Sequence, residues 1–485
     1  MKSLQIKYSF RSVLTYGLCA ILMLGSCSKV NEQDPYEGVN PSDVFNNPTR
    51  IESAAIGMYH ALQNAEFLGG RALIYIDQRG NDVNVSSFFG QIPTFNMLSN
   101  NGTALLAWTG GYRTIFEANN FLFNVEKAGS VLSADEIKQY VAEAKFVRAL
   151  VYYYLVNIYA QTYGFSADGS HLGIPLMTMP PPQTGAEAFD PKYRVARSTV
   201  KQTYDLIIKD LTEAEAGLPD DWGDGYFNHA RATKAAANGL LSRVYLLTEN
   251  WANVNTAADK VLASPMGYAL ESAPYANFDK DKYISSSEII FNVAMNSNDN
   301  PNTNNAIGQH YSGQGRGDIT VSTAYLNLPN FGANDRRKSA DTMIVQIGNN
   351  RYTGKFFETP FDSWVPVMRL AEIMLNKAEA LARIDAGVST DALDIINEIR
   401  ARSNADPIAV PATKQELIDV ILNERRIELA FEGFGMVDFV RTKRNIPARG
   451  ATQPEQSWND QFTPWPIPFQ ETQQNTNLAQ NPGYN

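Results

Sequence analysis

The stretch "LNERRIELAFEGFGMVDFVRT" (residues 422–442) carries the densest run of opposite charges in the chain: Glu424, Arg425, Arg426, Glu428 and Glu432. It continues a helical pattern opened at Thr413, where Thr413-x-x-Glu416 pairs an N-cap hydroxyl with a carboxylate able to reach back to the cap. At helical spacing Glu424, Glu428 and Glu432 fall on one face. Three carboxylates in a row suit either a metal ion or a set of arginines. No histidine stands close in sequence, whereas Arg400, Arg402 and Arg441 do, so an ion-pair network is the expectation and a metal site is not.

Working outward, helices come in pairs. "VMRLAEIMLNKAEALARIDAG" (367–387) sets Leu370, Met374, Lys377/Ala378 and Leu381 on one stripe, and "STDALDIINEIRARS" (389–403) returns after a short turn. "TKAAANGLLSRVYLLTEN" (233–250), striped by Ala236, Leu240, Val244 and Leu247, is followed in the same way by "WANVNTAADKVLAS" (251–264). Upstream, a Ser133-x-x-Glu136 capping box opens a long segment (137–164) that is apolar on more than one side, as a central helix would be. Ile51, Ala55, Met58 and Leu62 stripe an earlier helix, and Gly110-Gly111 weakens the helical pattern of 103–127. The expected fold is mostly α, built from tetratricopeptide-repeat-like helix pairs. Between about residues 264 and 362 the periodicity vanishes; "EIIFNVAMN" (288–296) reads as a strand and the rest as loop. So long an irregular insert usually carries function.

The N-terminus answers a different question. Lys2, Lys7 and Arg11 precede an apolar run, Val13 to Leu24, too short for the roughly 20 residues of a spanning helix and laid out as a secretory leader. It ends Leu24-Gly25-Ser26-Cys27, which resembles a bacterial lipobox with Cys27 as the lipid-bearing first mature residue. Cys19, the only other cysteine, would leave with the leader. The mature chain would then have no thiol and no disulfide, which excludes thiol catalysis and cysteine–metal sites. The lipid would be its sole membrane anchor, several acyl chains sufficing where one is marginal. The expected organisation is leader 1–26, tether 27–47, an N-terminal helical region 48–230 and a C-terminal region 231–485, the last two forming one compact unit. The chain carries a net charge of −10, and the leader holds three of its cations. So acidic a protein disfavours nucleic acid as a partner.

With these segments in place, the chain resembles the SusD/RagB family of outer-membrane, nutrient-binding lipoproteins of Bacteroidota. The resemblance rests on "MRLAEIMLNKAEALAR" (368–383), "INEIRARS" (396–403), the opening stretch, and the ending "WPIPFQETQQNTNLAQNPGYN" (465–485). In the N-terminal half it rests on the lipobox, "WTGGYRTIFEANNFL" (108–122), "AEAKFVRALVYYYLV" (142–156) and "RATKAAANGLLSRVYLL" (231–247), in the family's order. Two departures stand out. The family commonly has an arginine three residues beyond the glutamate of its ELxxEG-type motif, where this chain has Gly435 after Glu432; that bears on one helix-end ion pair and not on the fold. Acidic residues after the lipidated cysteine, which accompany export to the cell surface, number only Glu32 and Asp34 in "SKVNEQD". The resemblance implies a ligand-binding face, oligosaccharide or peptide ligands, and a SusC-like TonB-dependent transporter barrel over which the lipoprotein sits.

Binding sugars without catalysis calls for aromatic faces beside hydroxyl-bonding polar groups. Two loops supply that mix: 75–95, with Asp77, Arg79, Asn81, Asp82, Phe88, Phe89 and Phe95, and 309–318, with Tyr311 and Arg316. Trp222, in the acidic segment "DDWGDGYF", is a further candidate. No catalytic residue, metal ligand or cofactor is assigned: the histidines are scattered, with no HExxH spacing. The alternatives are a surface glycoside hydrolase, whose two carboxylates no local pattern singles out, and a repeat scaffold that binds only proteins.

Overall fold

The computed structural model describes residues 41–485 except 183, 303, 450–452 and 485. The leader and Cys27 lie outside the described residues. Helix α1 (Pro48–Leu62) starts where the Asn47 side chain accepts from Arg50 N and Pro48 occupies a first-turn position, and it buries the expected stripe Ile51, Ala55, Met58 and Leu62. Helix α2 (Arg71–Asp77) and strand β1 (Val83–Val85) lead to α3 (Gly102–Val125) and α4 (Ala134–Tyr159). The glycine pair in α3, a weakness by propensity, is a packing device. A Cβ on Gly111 would stand 2.7 Å from Leu155 Cδ2 of α4, and one on Gly110 would stand 2.5 Å from Asn64 Oδ1. Helix α4 has its capping box, and every residue from Phe146 to Tyr159 is buried, so it is the central helix its composition called for. Its polar groups are matched: Arg148 grips Asp210 through two 2.8 Å bonds, and Glu143 accepts from Arg231 and the Tyr59 hydroxyl at 2.8 Å each.

Strands β2 (Leu172–Pro175) and β3 (Arg197–Thr199) pair antiparallel ahead of α5 (Val200–Gly217), which packs along α4. Helices α6 (Lys234–Leu247) and α7 (Trp251–Leu262) form the next pair, α6 buried nearly all round and α7 on one face only. The insert that follows is less shapeless than its sequence. The expected strand is β4 (Ile289–Val293); after it come α8 (Ile307–Tyr311), β5 (Ile319–Val321), a hairpin of β6 (Ile344–Ile347) and β7 (Asn350–Thr353), and β8 (Val365–Arg369). β5 pairs back with β1, and β8 with β4, so the insert is stitched to the N-terminal half and to its own far end. Helices α9 (Leu370–Ile384), α10 (Thr390–Arg402), α11 (Lys414–Leu429), α12 (Gly435–Arg441) and α13 (Phe469–Gln474) complete the chain. On α9, Ala378 takes the buried position and Lys377 turns outward to Asp259. One apolar cluster runs from Ile51 to Leu478 through all these pairs.

The glutamates of the opening stretch sit in a buried ionic knot. Glu424 meets Arg337 and Arg400 at 2.6 Å, Glu428 meets Arg369 at 2.7 Å and Arg337 at 3.0 Å, and Glu432 meets Lys355 at 2.6 Å and Arg369 at 2.8 Å. Arg402 joins Glu428 to Glu288. Burial by itself would raise the Glu428 carboxyl; Arg402, Arg369 and Arg337 outweigh it and hold that carboxyl well below the usual range. Arg441, expected in this network, instead clamps Glu379 at 2.7 Å and Asp438 at 2.6 Å. Three of these five cations, Arg337, Lys355 and Arg369, come from the insert and β8, over fifty residues away, where no local pattern could reveal them.

Candidate functional site

The two loops singled out in the sequence meet. β1 and β5 pair antiparallel in the register Val83↔Val321, Asn84↔Thr320, Val85↔Ile319, and Ser86 N extends the ladder to Asp318 O at 2.8 Å. The Ser86 hydroxyl donates to Asp318 Oδ1 at 2.9 Å and accepts from Phe88 N at 3.3 Å. That cap tightens residues Ser87–Phe89 into one 3-10 turn, which sends adjacent rings opposite ways: Phe89 is buried and Phe88 is 43% exposed.

Phe88 is the centre of the arrangement. The Arg316 guanidinium carbon stands 4.0 Å from its ring centroid and that of Arg71 5.5 Å, both within cation–π range. The His310 ring lies 5.4 Å away. Arg316 is oriented by Asp318 Oδ2 at 2.8 Å and Asn304 Oδ1 at 3.3 Å, and its backbone N–H is fixed to Gln309 O at 2.8 Å. Burial lowers the proton affinity of His310, so its neutral imidazole donates from Nδ1 to Asp318 Oδ2 at 2.9 Å. Burial would raise Asp318, but the bonds from His310, Arg316 and Ser86 hold it at about 2. The result is a preorganised surface: one exposed aromatic ring, a guanidinium held over it, and the Asn304 carboxamide bonded to that guanidinium.

The remaining candidates lie beneath that surface or apart from it. Asp77, Arg79, Asn81 and Asp82 are all buried. Arg79 donates to Tyr75 O at 3.0 Å and Thr463 O at 2.7 Å, Asn81 O accepts from the Ser322 hydroxyl, and Asp82 pairs with Arg426 at 2.6 Å. Tyr311, also buried, donates to Asp77 Oδ2 at 2.8 Å, and Gly433 N donates to both Asp77 oxygens. Burial raises the Asp77 carboxyl to about 7 against these bonds, with the charge of Asp82 adding to the rise. Gly435, where the family resemblance would put an arginine, stands beside this acid. A Cβ there would lie 3.7 Å from both Asp77 Oδ1 and Asp82 Oδ2, and no cation pairs with Asp77 among the described residues. Phe89 and Phe95 are buried, each 5 or 6% exposed. Trp222 is half-buried; its indole donates to Ala232 O at 3.0 Å and Arg231 stacks on it at 3.8 Å, away from both loops. Of the sequence candidates, Phe88 and Arg316 therefore make up the accessible surface. Sequence reasoning passed over Arg71, Ser86, Asn304, His310 and Asp318; Ser86, His310 and Asp318 stand inside the two quoted loops, whereas Arg71 and Asn304 lie outside them.

The chain is similar to known proteins along most of its length. A family model described as starch-binding, associating with the outer membrane, matches residues 32–246, and a model of the SusD family matches residues 359–484. Phe88 falls within the first; Arg316 and Asp318 fall in the stretch between the two. A SusD-like protein of Formosa agariphila is 26% identical, over 96% of this chain and 98% of its own length. The starch-binding protein SusD of Bacteroides thetaiotaomicron is 34% identical over 149 residues, which is 29% of this chain and 26% of that protein. Among solved structures, a SusD-superfamily protein of Bacteroides fragilis superposes with a TM-score of 0.79 at 29% identity, covering 90% of this chain and all of that one. A structure described as a putative sugar binding protein of Bacteroides vulgatus gives 0.77 at 26% identity, covering 91% and 99%. The order of motifs, the helix-pair architecture and these matches agree, and the chain belongs to the SusD/RagB family.

Proposed function

We propose that this protein is a lipid-anchored outer-membrane protein that captures oligosaccharides on the Phe88–Arg316 surface and passes them to a SusC-like TonB-dependent transporter. The observation that carries the reading is the exposed Phe88 ring with Arg316 held over it by Asp318 and Asn304. A sugar's apolar face packs on a ring or guanidinium plane, and its hydroxyls take hydrogen bonds from a cation whose own position is fixed in advance. The starch-binding description of one family model and of the Bacteroides thetaiotaomicron relative supports the ligand class. Among the described residues no helix is long and apolar enough to cross a membrane; the attachment proposed is through Cys27, at the end of the lipobox-like string.

The chemistry of the surface favours binding over hydrolysis. Glycosidic cleavage needs a protonated acid and a second carboxylate across the bond. Asp318 is held ionised at about 2 by three donors, and Asp77, the carboxyl raised to about 7, is buried under Tyr311. Native gels loaded with a panel of polysaccharides test the proposal: retarded migration without release of reducing ends is expected. Release of reducing ends from a retained glycan would make the protein a hydrolase. Failure of every glycan to retard it, with a barrel partner still co-purifying, would point to peptide ligands or a scaffold.

A further inference from the structure

A second cavity, sharing no residue with the Phe88 surface, lies between α3, the arm 175–195 that follows β2, and α13. It encloses about 760 Å³, within the roughly 300–1,000 Å³ of small-molecule sites. Trp108, Tyr112 and Phe116 line it from α3, four residues apart and therefore on one stripe. The Trp108 and Tyr112 rings are 4.6 Å apart, and the Tyr112 hydroxyl is anchored on Pro175 O at 2.8 Å. Phe189 lines the cavity from the arm and, at 77%, is the most exposed large apolar side chain among the described residues. Glu471 enters from α13; burial raises its carboxyl and a hydrogen bond from the Trp108 indole restrains it.

Charge says what would sit against these rings. Nearly every arginine described in this chain spends its guanidinium on a carboxylate, a carbonyl or a ring. Among the described residues Arg113, Arg194 and Arg351 do not, and two of those three line this one cavity. Free guanidiniums beside an aromatic wall bind carboxylate or sulfate through paired N–H donors, and they stand out all the more in a chain of net charge −10. Glu471 and Gln474 add groups suited to hydroxyls. We propose that this cavity is a second binding site for acidic sugars, rings bearing a carboxylate or sulfate. The ring would pack against Tyr112, Phe116 and Phe189, with the anionic group on Arg113 and Arg194.

Isothermal titration of the full-length protein in detergent tests it, with tetragalacturonate and a sulfated galactose oligomer as acidic probes and the neutral galactose oligomer as control. At least one acidic probe should bind at least tenfold more tightly than the neutral one and weaken as salt is added. The Arg113→Gln/Arg194→Gln double variant should lose that binding at least tenfold. Arg351→Gln, which removes an equally free cation elsewhere, should not. Four results would overturn the proposal: no acidic probe binds, the neutral oligomer binds as well, the double variant retains full affinity, or Phe88→Ala rather than the double variant abolishes binding. The last would assign the acidic sugar to the loop surface and leave the function proposed for that surface standing.

Discussion

Replacing Asp77 by asparagine should stabilise this protein at alkaline pH and leave it little changed, or weaker, in acid. The carboxyl is buried, accepts from the Tyr311 hydroxyl and from Gly433 N, and faces Asp82 rather than a cation. Its proton affinity rises from an ordinary 3.8 to about 7. At about 1.4 kcal/mol for each tenfold change, that difference amounts to about 4 kcal/mol. The sign follows from proton counting: between about pH 4 and pH 7 the folded state holds a proton on Asp77 that the unfolded state has released. Stability from this group is therefore fully present below the ordinary carboxylate range and is lost as pH rises toward 7. Asparagine removes the titration, and its altered hydrogen bonding adds an offset that does not vary with pH. The difference in unfolding free energy, variant minus wild type, should climb by up to about 4 kcal/mol between pH 4 and pH 8. Urea unfolding followed by tryptophan fluorescence at pH steps across that range measures it. A difference that stays flat would show that Asp77 titrates normally, and would refute the argument that it is buried without a counter-charge.

Three further outcomes follow from the packing and the anchor. Arg369→Met should cost about 3–5 kcal/mol, because it strips Glu428, Glu432 and Glu288 of a shared buried partner; a loss below about 1 kcal/mol in urea unfolding would mean the knot relaxes around the gap. Gly111→Ala, which drives a Cβ to 2.7 Å from Leu155, should cost about 1–3 kcal/mol by overpacking, and a neutral melting temperature would show that α3 and α4 are not closely seated there. Cys27→Ser should release the protein from the membrane fraction into soluble extract, and unchanged sedimentation with membranes would argue against lipid attachment at that residue.

Helix positions were the most legible part of the sequence, because capping boxes and apolar stripes are local. Ser133 with Glu136 marked the start of α4, and Ile51, Ala55, Met58 and Leu62 marked the buried face of α1. The glycines of α3 show where locality misleads: Gly110 and Gly111 lower propensity, yet the close approach of α4 requires Gly111 and that of Asn64 requires Gly110. The insert hid its strands because β5, β6 and β7 are three or four residues each; β5 takes its meaning from β1, far away in sequence, and β6 and β7 from a hairpin too short to show a periodicity. For the candidate site, residue types in the two loops drew attention to the right segments but could not separate surface from support. Phe88 and Phe89 are neighbours in sequence and opposites in exposure, decided by a turn that Ser86 caps. The arginine absent at Gly435 was plain in the sequence; that this position lies beside Asp77, buried without a counter-charge, depends on the packing of α12 beside α2.

The most direct test of the central claim is glycan retention in affinity gels by wild type, Phe88→Ala and Arg316→Ala, each checked for an unchanged melting temperature. Phe88 is exposed, and base rates for well-seated aromatic anchors put its truncation above about 1–2 kcal/mol, so a retained glycan should lose roughly tenfold or more in affinity with Phe88→Ala, and Arg316→Ala should weaken it as well. Full retention of the glycan by both folded variants would contradict the assignment of this surface as the binding face.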